Sequence, residues 1–171
     1  MSKIAFVTSS PMTIKAFLLP FINELMKENE VHVIANWADD IDSSFLPKGV
    51  KLKNLSIERN PSLFSDFITL IKLTRLLQIE KYHTVHTFTP KAGLIGQLAS
   101  YVSRIKNRFH TFTGQVWATQ TGWKKVVLKN LDKVTAALTT AILVDSPSQQ
   151  EYLIQNKVLS KRKSVKSIFY S

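Results

Sequence analysis

The sequence predicts one doubly wound, Rossmann-like α/β domain over residues 1–171, with a mostly parallel sheet and helices on both of its faces. Three observations carry this expectation. Short runs rich in Val, Ile, Phe and Thr alternate with amphipathic stretches along the whole chain, which is the pattern of repeated βα units. Pro, Ser, Thr or Gly stands where a run gives way to the next stretch, the chemistry of helix starts and turns. The tetrapeptide HTFT occurs at 86–89 and again at 110–113, each time closing a β-rich run before Pro or Gly. That spacing is the period of the architecture rather than a solenoid repeat, because the flanking residues differ.

KIAFVT (3–8) is the first strand. Ser10 suits the N-cap of the helix that follows and Pro11 its first position. Phe17, Leu18, Phe21, Ile22 and Leu25 recur at helical spacing, so one helix is expected to reach Glu28 and Asn29. EVHVIAN (30–36) is the second strand, residues 37–49 form an acidic loop with Ser, Pro and Gly, and 50–55 is a weaker third strand. Pro61 opens a long amphipathic helix ending near Lys81, its apolar face carrying Phe64, Phe67, Ile68, Ile71, Leu76 and Ile79. Strands are then expected at 82–89, 107–113 and 141–145, with helices at 90–105, 123–140 and 146–156 and a loop at 114–122. The helix over 123–140 sets Lys124, Lys125, Lys129 and Lys133 opposite an apolar stripe. Ser146, Pro147 and Gln149 make a capping-box start, and 164–171 is a last strand-like segment.

Composition narrows the function classes. An apolar fraction of 44% with 20% charged residues fits a folded soluble domain and excludes intrinsic disorder. No run approaches the roughly 18 uncharged apolar residues of a membrane span, and no small-residue cleavage site follows the first apolar run. The absence of cysteine removes disulfides and thiolate metal sites. These features together point to the cytoplasm. A net charge of +11 attracts polyanions, whether nucleic acid, anionic lipid or diphosphate; charge alone does not choose among them, and lysines also simply solvate helix faces. G-x-G-x-x-G, the P-loop pattern and G-x-S-x-G are all missing, so no dinucleotide cofactor, P-loop nucleotide or nucleophile elbow is expected. The four histidines do not fall at metal-ligand spacing on one helix, so no metal is expected.

In an open parallel sheet, ligands bind outside the carboxyl ends of the strands, where strand order reverses. That rule selects Ser9 and Ser10 after the first strand, Thr87 and Thr89 at the fourth, Thr113 and Gly114 at the fifth, and Asp145 and Ser146 at the sixth. TPKAG (89–93) is the most informative turn. Thr89 can cap the helix, Pro90 presets it, Ala92 and Gly93 let a ligand approach backbone N–H groups, and Lys91 adds charge for a phosphate or diphosphate. The plainer reading is a strand-to-helix turn with a solvated lysine. His86 and His110 read as sheet residues with satisfied ring nitrogens, and His32 and His83 as structural. Asp145 reads as the neighbour of an N-cap first and as an acid second. The loop at 114–122 can close Trp117, Gln115 and Gln120 over a sugar ring, or Trp117 and Trp123 can merely anchor it.

VHTFTPKAGLIGQLASYVSRI, RFHTFTGQVWATQTG and AILVDSPSQQEYLI together resemble the N-terminal half of family 4 glycosyltransferases with the GT-B fold, of the type that builds bacterial capsule or O-antigen polysaccharide. The resemblance covers nearly the whole chain and is most specific over 85–153. It implies a retaining transfer from a nucleotide-sugar donor to a polyprenyl-diphosphate-linked glycan acceptor at the membrane surface, cytoplasmic and peripheral at the inner face. It further implies that this half holds the acceptor, that the donor is held by a C-terminal domain beyond this chain, and that the chain alone is inactive. Lys124, Lys125, Lys129 and Lys133 then face an anionic membrane surface. Relatives carry a glycine-rich turn where this sequence has Ser9, Ser10, Pro11 and Met12, and a His where it has Thr113; Thr113 or Gln115 would take over that hydrogen-bonding role as the catalytic candidates. The competing expectation is a basic nucleotide- or nucleic-acid-binding Rossmann-like module, against which stands the lack of interleaved aromatic and basic residues on any strand.

Overall fold

The computed structural model describes residues 1–37, 43–58, 62–160 and 163–167. Its strands are β1 (Ser2–Val7), β2 (Asn29–Ala35), β3 (Lys51–Asn54), β4 (Thr84–Phe88), β5 (Asn107–Phe112), β6 (Ala141–Val144) and β7 (Val165–Ser167). All pair in parallel, in the order β3-β2-β1-β4-β5-β6-β7. The helices are α1 (Pro11–Phe17), α2 (Leu19–Leu25), α3 (Leu63–Glu80), α4 (Pro90–Val102), α5 (Gly122–Leu138) and α6 (Pro147–Gln155), with a 3-10 turn at Val116–Thr119. The expected start of α3 at Pro61, part of the acidic loop and the last four residues lie outside the described residues.

The doubly wound class is as expected, but the two faces are covered unequally. From β1 the sheet first steps one way, to β2 and β3, and then back the other way through β4 to β7. Right-handed crossovers therefore send α1 and α2 to one face and α3 to α6 to the other. The core follows this division. Ile4 and Phe6 pack on Ile14, Leu18 and Ile22. Val7 and Val85 pack on Leu73, Leu77 and Ile95, and Phe112, Ile142 and Val144 on Ala136 and Leu153.

The single helix expected over 11–28 is two. Pro20 has no N–H to give to the preceding turn, and its ring clashes with the carbonyl four residues back. The chain accordingly turns at Leu18 (φ −109°, ψ −15°) before α2 begins. That bend lets α1 and α2 wrap Phe17, Phe21 and Leu25 around one side of a cleft.

Candidate functional site

Strand order reverses between β1 and β4, and the residues following these two strands meet. Ser9 Oγ lies 3.0 Å from Thr89 Oγ1. Thr89 sits at φ 67°, ψ 147°, a region close to glycine's own and costly for a β-branched side chain. It occupies the N-cap position of α4, yet its side chain makes no cap hydrogen bond. The hydroxyl turns to Ser9 instead, and the first turn of α4 keeps its partial positive charge without a side-chain cap. Ser10 does cap α1, accepting from the Met12 N–H at 3.3 Å, with Pro11 buried at the first position. Those two residues build the helix start beside Ser9.

A cleft of about 420 Å³ runs along the sheet face that α3 to α6 do not cover. Phe6, Phe88 and Phe109 floor it, Thr13, Phe17 and Phe21 wall it, and Thr89, Thr113 and Asp145 edge it at the carboxyl ends of β4, β5 and β6. It is an apolar trough with a polar mouth, the form ligand sites commonly take. Burial raises the Asp145 carboxyl above the ordinary carboxylate range. Its backbone N–H is held by Gln149 Oε1 at 2.7 Å, while Ser146 Oγ accepts from the Gln149 N–H at 3.2 Å. Ser146 is thus the cap of α6, and Asp145 is the acid that reaches the mouth.

The two HTFT copies are not equivalent. They are offset by 24 residues in sequence, but the ladder pairs His86 with Phe109 and Thr87 with His110, an offset of 23. A one-residue slip reverses the facing of every side chain. His86 therefore walls the cleft, with Nε2 2.8 Å from Thr111 Oγ1, whereas His110 and Thr87 point to the opposite face. There Thr87 Oγ1 lies 2.8 Å from His110 Nδ1 and accepts from Gln97 Nε2 at 2.8 Å. A Cβ on Gly93 would overlap the His110 ring. Thr87, named from sequence as a ligand contact, is buried under α4, and Gly93, named likewise, is buried within α4, where it is required for helix-to-sheet packing. Desolvation, followed by the charge of His110, pushes the His86 imidazole down to about 3. Desolvation outweighs the Thr87 hydrogen bond and brings His110 down to about 3 as well. His86 keeps an edge open to the cleft, whereas His110 is enclosed. Both rings are neutral at pH 7.

Lys91 pairs with Asp66 of α3 at 2.6 Å, so its charge is already answered, in contrast to the solvated or ligand-facing lysine expected. Trp117 is buried, donates from Nε1 to Asp132 at 2.8 Å and stacks on Tyr152 at 5.5 Å. It anchors the loop rather than covering the cleft. Gln115 beside it keeps Nε2 buried without a hydrogen-bond partner. Thr113 is exposed at the mouth, followed by exposed Gly114 at φ 153°. Sequence reasoning passed over His86, Thr111 and the Phe17 and Phe109 walls. Period-two alternation from Phe88 would have found His86, whereas nothing local signals the pairing of Lys91 with Asp66.

The family model described as glycosyl transferase 4-like matches residues 3–146. A capsular polysaccharide biosynthesis glycosyltransferase, CapM of Staphylococcus aureus, is 32% identical over 109 residues, which are 64% of this chain and 29% of that protein. The UDP-Gal:alpha-D-GlcNAc-diphosphoundecaprenol alpha-1,3-galactosyltransferase of Escherichia coli is 34% identical over 98 residues, 57% of this chain and 25% of that protein. Among solved structures, Anabaena Alr3699/HepE in complex with UDP and glucose superposes with TM-score 0.70 at 14% identity, covering 100% of this chain and 45% of that one. UDP-N-acetylglucosamine 2-epimerase from Rickettsia bellii gives 0.71 at 15%, covering 96% and 44%. The chain thus spans under half the length of these proteins, and the shared fold is one half of a GT-B architecture.

Proposed function

The chain belongs to the glycosyl transferase 4-like family, and from that premise we propose that it is the acceptor-binding half of a glycosyltransferase for surface polysaccharide. The full enzyme would move a sugar, with retention, from a nucleotide-sugar to a polyprenyl-diphosphate-linked glycan. The single observation that carries this reading is the Ser9–Thr89 pair, where a strained threonine leaves the first turn of α4 without a side-chain cap at the strand-order switch. An anion is well received at such a helix start, and the diphosphate of the acceptor is the anion that the Escherichia coli relative's name supplies.

Each mouth residue has a role in this proposal. Ser9, Thr89 and the start of α4 hold the diphosphate. Thr113, with the unpartnered amide donor of Gln115, binds the reacting sugar hydroxyls, since a buried donor without a partner is costly until a ligand meets it. Asp145 accepts a hydrogen bond at the far edge of the mouth. Neutral His86, held near 3, is too weak a base to take the acceptor proton at pH 7, which fits a reaction in which the departing donor phosphate accepts it.

Titration calorimetry of the chain with a GlcNAc-diphosphate carrying a short, water-soluble prenyl tail tests the reading. Binding to the diphosphate and not to the matching prenyl alcohol is expected. Equal response to both, or to neither, would refute it. With a UDP-sugar added, the same chain is expected to give no turnover, because the donor-holding part lies outside these residues in the proposal.

A further inference from the structure

We propose that Asp132 is a positioning residue for the cleft mouth: through Trp117 it fixes the loop that carries Thr113 and Gln115, and its ionisation loosens that loop. The roles of Thr113 and Gln115 rest on the acceptor-binding reading, whereas their mechanical link to Asp132 is a matter of packing. Loop 113–121 runs between Gly114 (φ 153°) and Gly122 (φ 58°), and a Cβ on either would meet nothing within 4 Å. Neither end is therefore fixed by close contact. Hydrogen bonds within the loop tie it to itself: Ala118 N–H to the Gln115 carbonyl at 3.0 Å, and Gln120 N–H to the Trp117 carbonyl at 3.2 Å. In the 3-10 turn Val116–Thr119, Trp117 is buried while Val116, Ala118 and Thr119 are exposed. One side chain thus pins the turn, and the bond from Ala118 makes Gln115 move with it.

Two helices clamp that side chain. Asp132 of α5 accepts from Trp117 Nε1 at 2.8 Å. Tyr152 of α6 stacks on the indole with the ring planes 6° apart. Lys129 Nζ lies 5.2 Å over the ring and donates to Asn156 at 3.1 Å, so this lysine is engaged within the fold. Asp132 is the acid of the clamp and is only 7% exposed. The elements packed around it also bring Lys133 on α5, Lys91 and Tyr101 on α4, Arg108 and His110 on β5, and Glu151 on α6. Among the described residues none of these bonds to its carboxyl: Lys91 pairs with Asp66, and Arg108 donates to the Leu138 and Ile105 carbonyls. Burial disfavours the charged form, and the Trp117 hydrogen bond only partly offsets this. A neutral Asp132 therefore keeps the clamp shut, whereas an ionised one gains by reaching water, which it does by letting Trp117 and the turn go. The buried amide of Gln115 then loses its place.

Proton–nitrogen correlation spectra of the 171-residue chain between pH 5 and pH 7.5 test the link without any ligand, with Trp117→Phe and Gln115→Glu assigning the two side-chain signals. The Trp117 indole and Gln115 amide signals are expected to titrate together near pH 6 in the parent and to stay fixed in Asp132→Asn. A Trp117 signal that titrates while Gln115 stays still would make the bond merely structural and overturn the inference, as would two signals that ignore pH. Calorimetry with the short-tailed GlcNAc-diphosphate reads the consequence. Affinity should fall roughly tenfold from pH 5 to pH 7.5 in the parent, and Asp132→Asn should keep the pH 5 value throughout. Each phosphate of the ligand holds one negative charge over this range, so the change belongs to the protein. A fall that persists in Asp132→Asn would assign it to Asp145 at the mouth and overturn the inference. Coupled signals without ligand binding at either pH would sink the acceptor-binding reading and leave the link from Asp132 to the loop standing.

Discussion

At Thr89 the chain holds a β-branched residue at φ 67°, ψ 147°, where glycine would rest without strain. Strain kept at the strand-order switch is a hint of function, because folding alone would favour its release. Thr89→Gly is expected to raise stability by about 1 kcal/mol in urea unfolding while weakening diphosphate binding, since it relaxes the backbone and removes the hydroxyl that meets Ser9. Gly93 makes the opposite case. A methyl there would strike the His110 ring, which Thr87 holds from one side in a buried network with Gln97. Gly93→Ala should destabilise by about 2 kcal/mol through overpacking, with the loss read as a lower urea midpoint. Neither residue's behaviour was legible in the sequence. A threonine argues against positive φ, and a glycine after a Pro-Lys-Ala start reads as ligand access until the ring behind it is seen.

At the scale of elements, the linkage between α5 and the loop before it hangs on Trp117 and Asp132. Desolvation outweighs the Trp117 hydrogen bond and lifts the Asp132 carboxyl to about 6. The folded state thus holds this proton more tightly than the unfolded chain. The stabilisation is fully present below the unfolded value of 3.8 and is lost as pH rises to about 6. Asp132→Asn keeps an oxygen to accept from Trp117 and carries no charge, so at pH 7.5 it should stabilise by about 2 kcal/mol and flatten that part of the pH profile. Urea melts at two pH values check both. The alternating elements themselves were readable, because period and capping residues are local; Ser10 and Ser146 cap as expected. The break at Leu18 was missed although Pro20 announced it, and the unequal covering of the faces follows only once strand order is known.

Over the whole molecule, the histidines and carboxylates set the acid limit. His86 and His110 ionise near 3 when folded and near 6.5 when unfolded. Each therefore withdraws up to about 1.4 kcal/mol per pH unit as pH falls below 6.5, and the two rings together outweigh the opposing pull of Asp132 and of the less buried Asp145. Below the ordinary value of 4.5, Glu80, lowered to about 2 by its hydrogen bonds from Lys3 and Lys53, and Glu30, lowered likewise by Lys51 and His32, act in the same direction. The urea midpoint should fall steadily from pH 6.5 to pH 4, and a flat profile would mean that the buried rings are solvated. The C-terminal ends of β1, β4, β5 and β6 were predictable as one mouth from topology alone. The sense of each side chain at that mouth was not, because the HTFT copies slip by one residue against the ladder.

Whether Ser9 and Thr89 receive a diphosphate decides the role of the mouth. Calorimetric titration of the short-tailed GlcNAc-diphosphate into the parent chain, Ser9→Ala, Thr89→Ala and the control Phe64→Ser, an exposed residue of α3, tests this most directly. Loss of roughly tenfold or more for the first two variants, with Phe64→Ser unchanged, is the predicted result. Parent-like affinity in Ser9→Ala and Thr89→Ala, with the fold intact by circular dichroism, would contradict it.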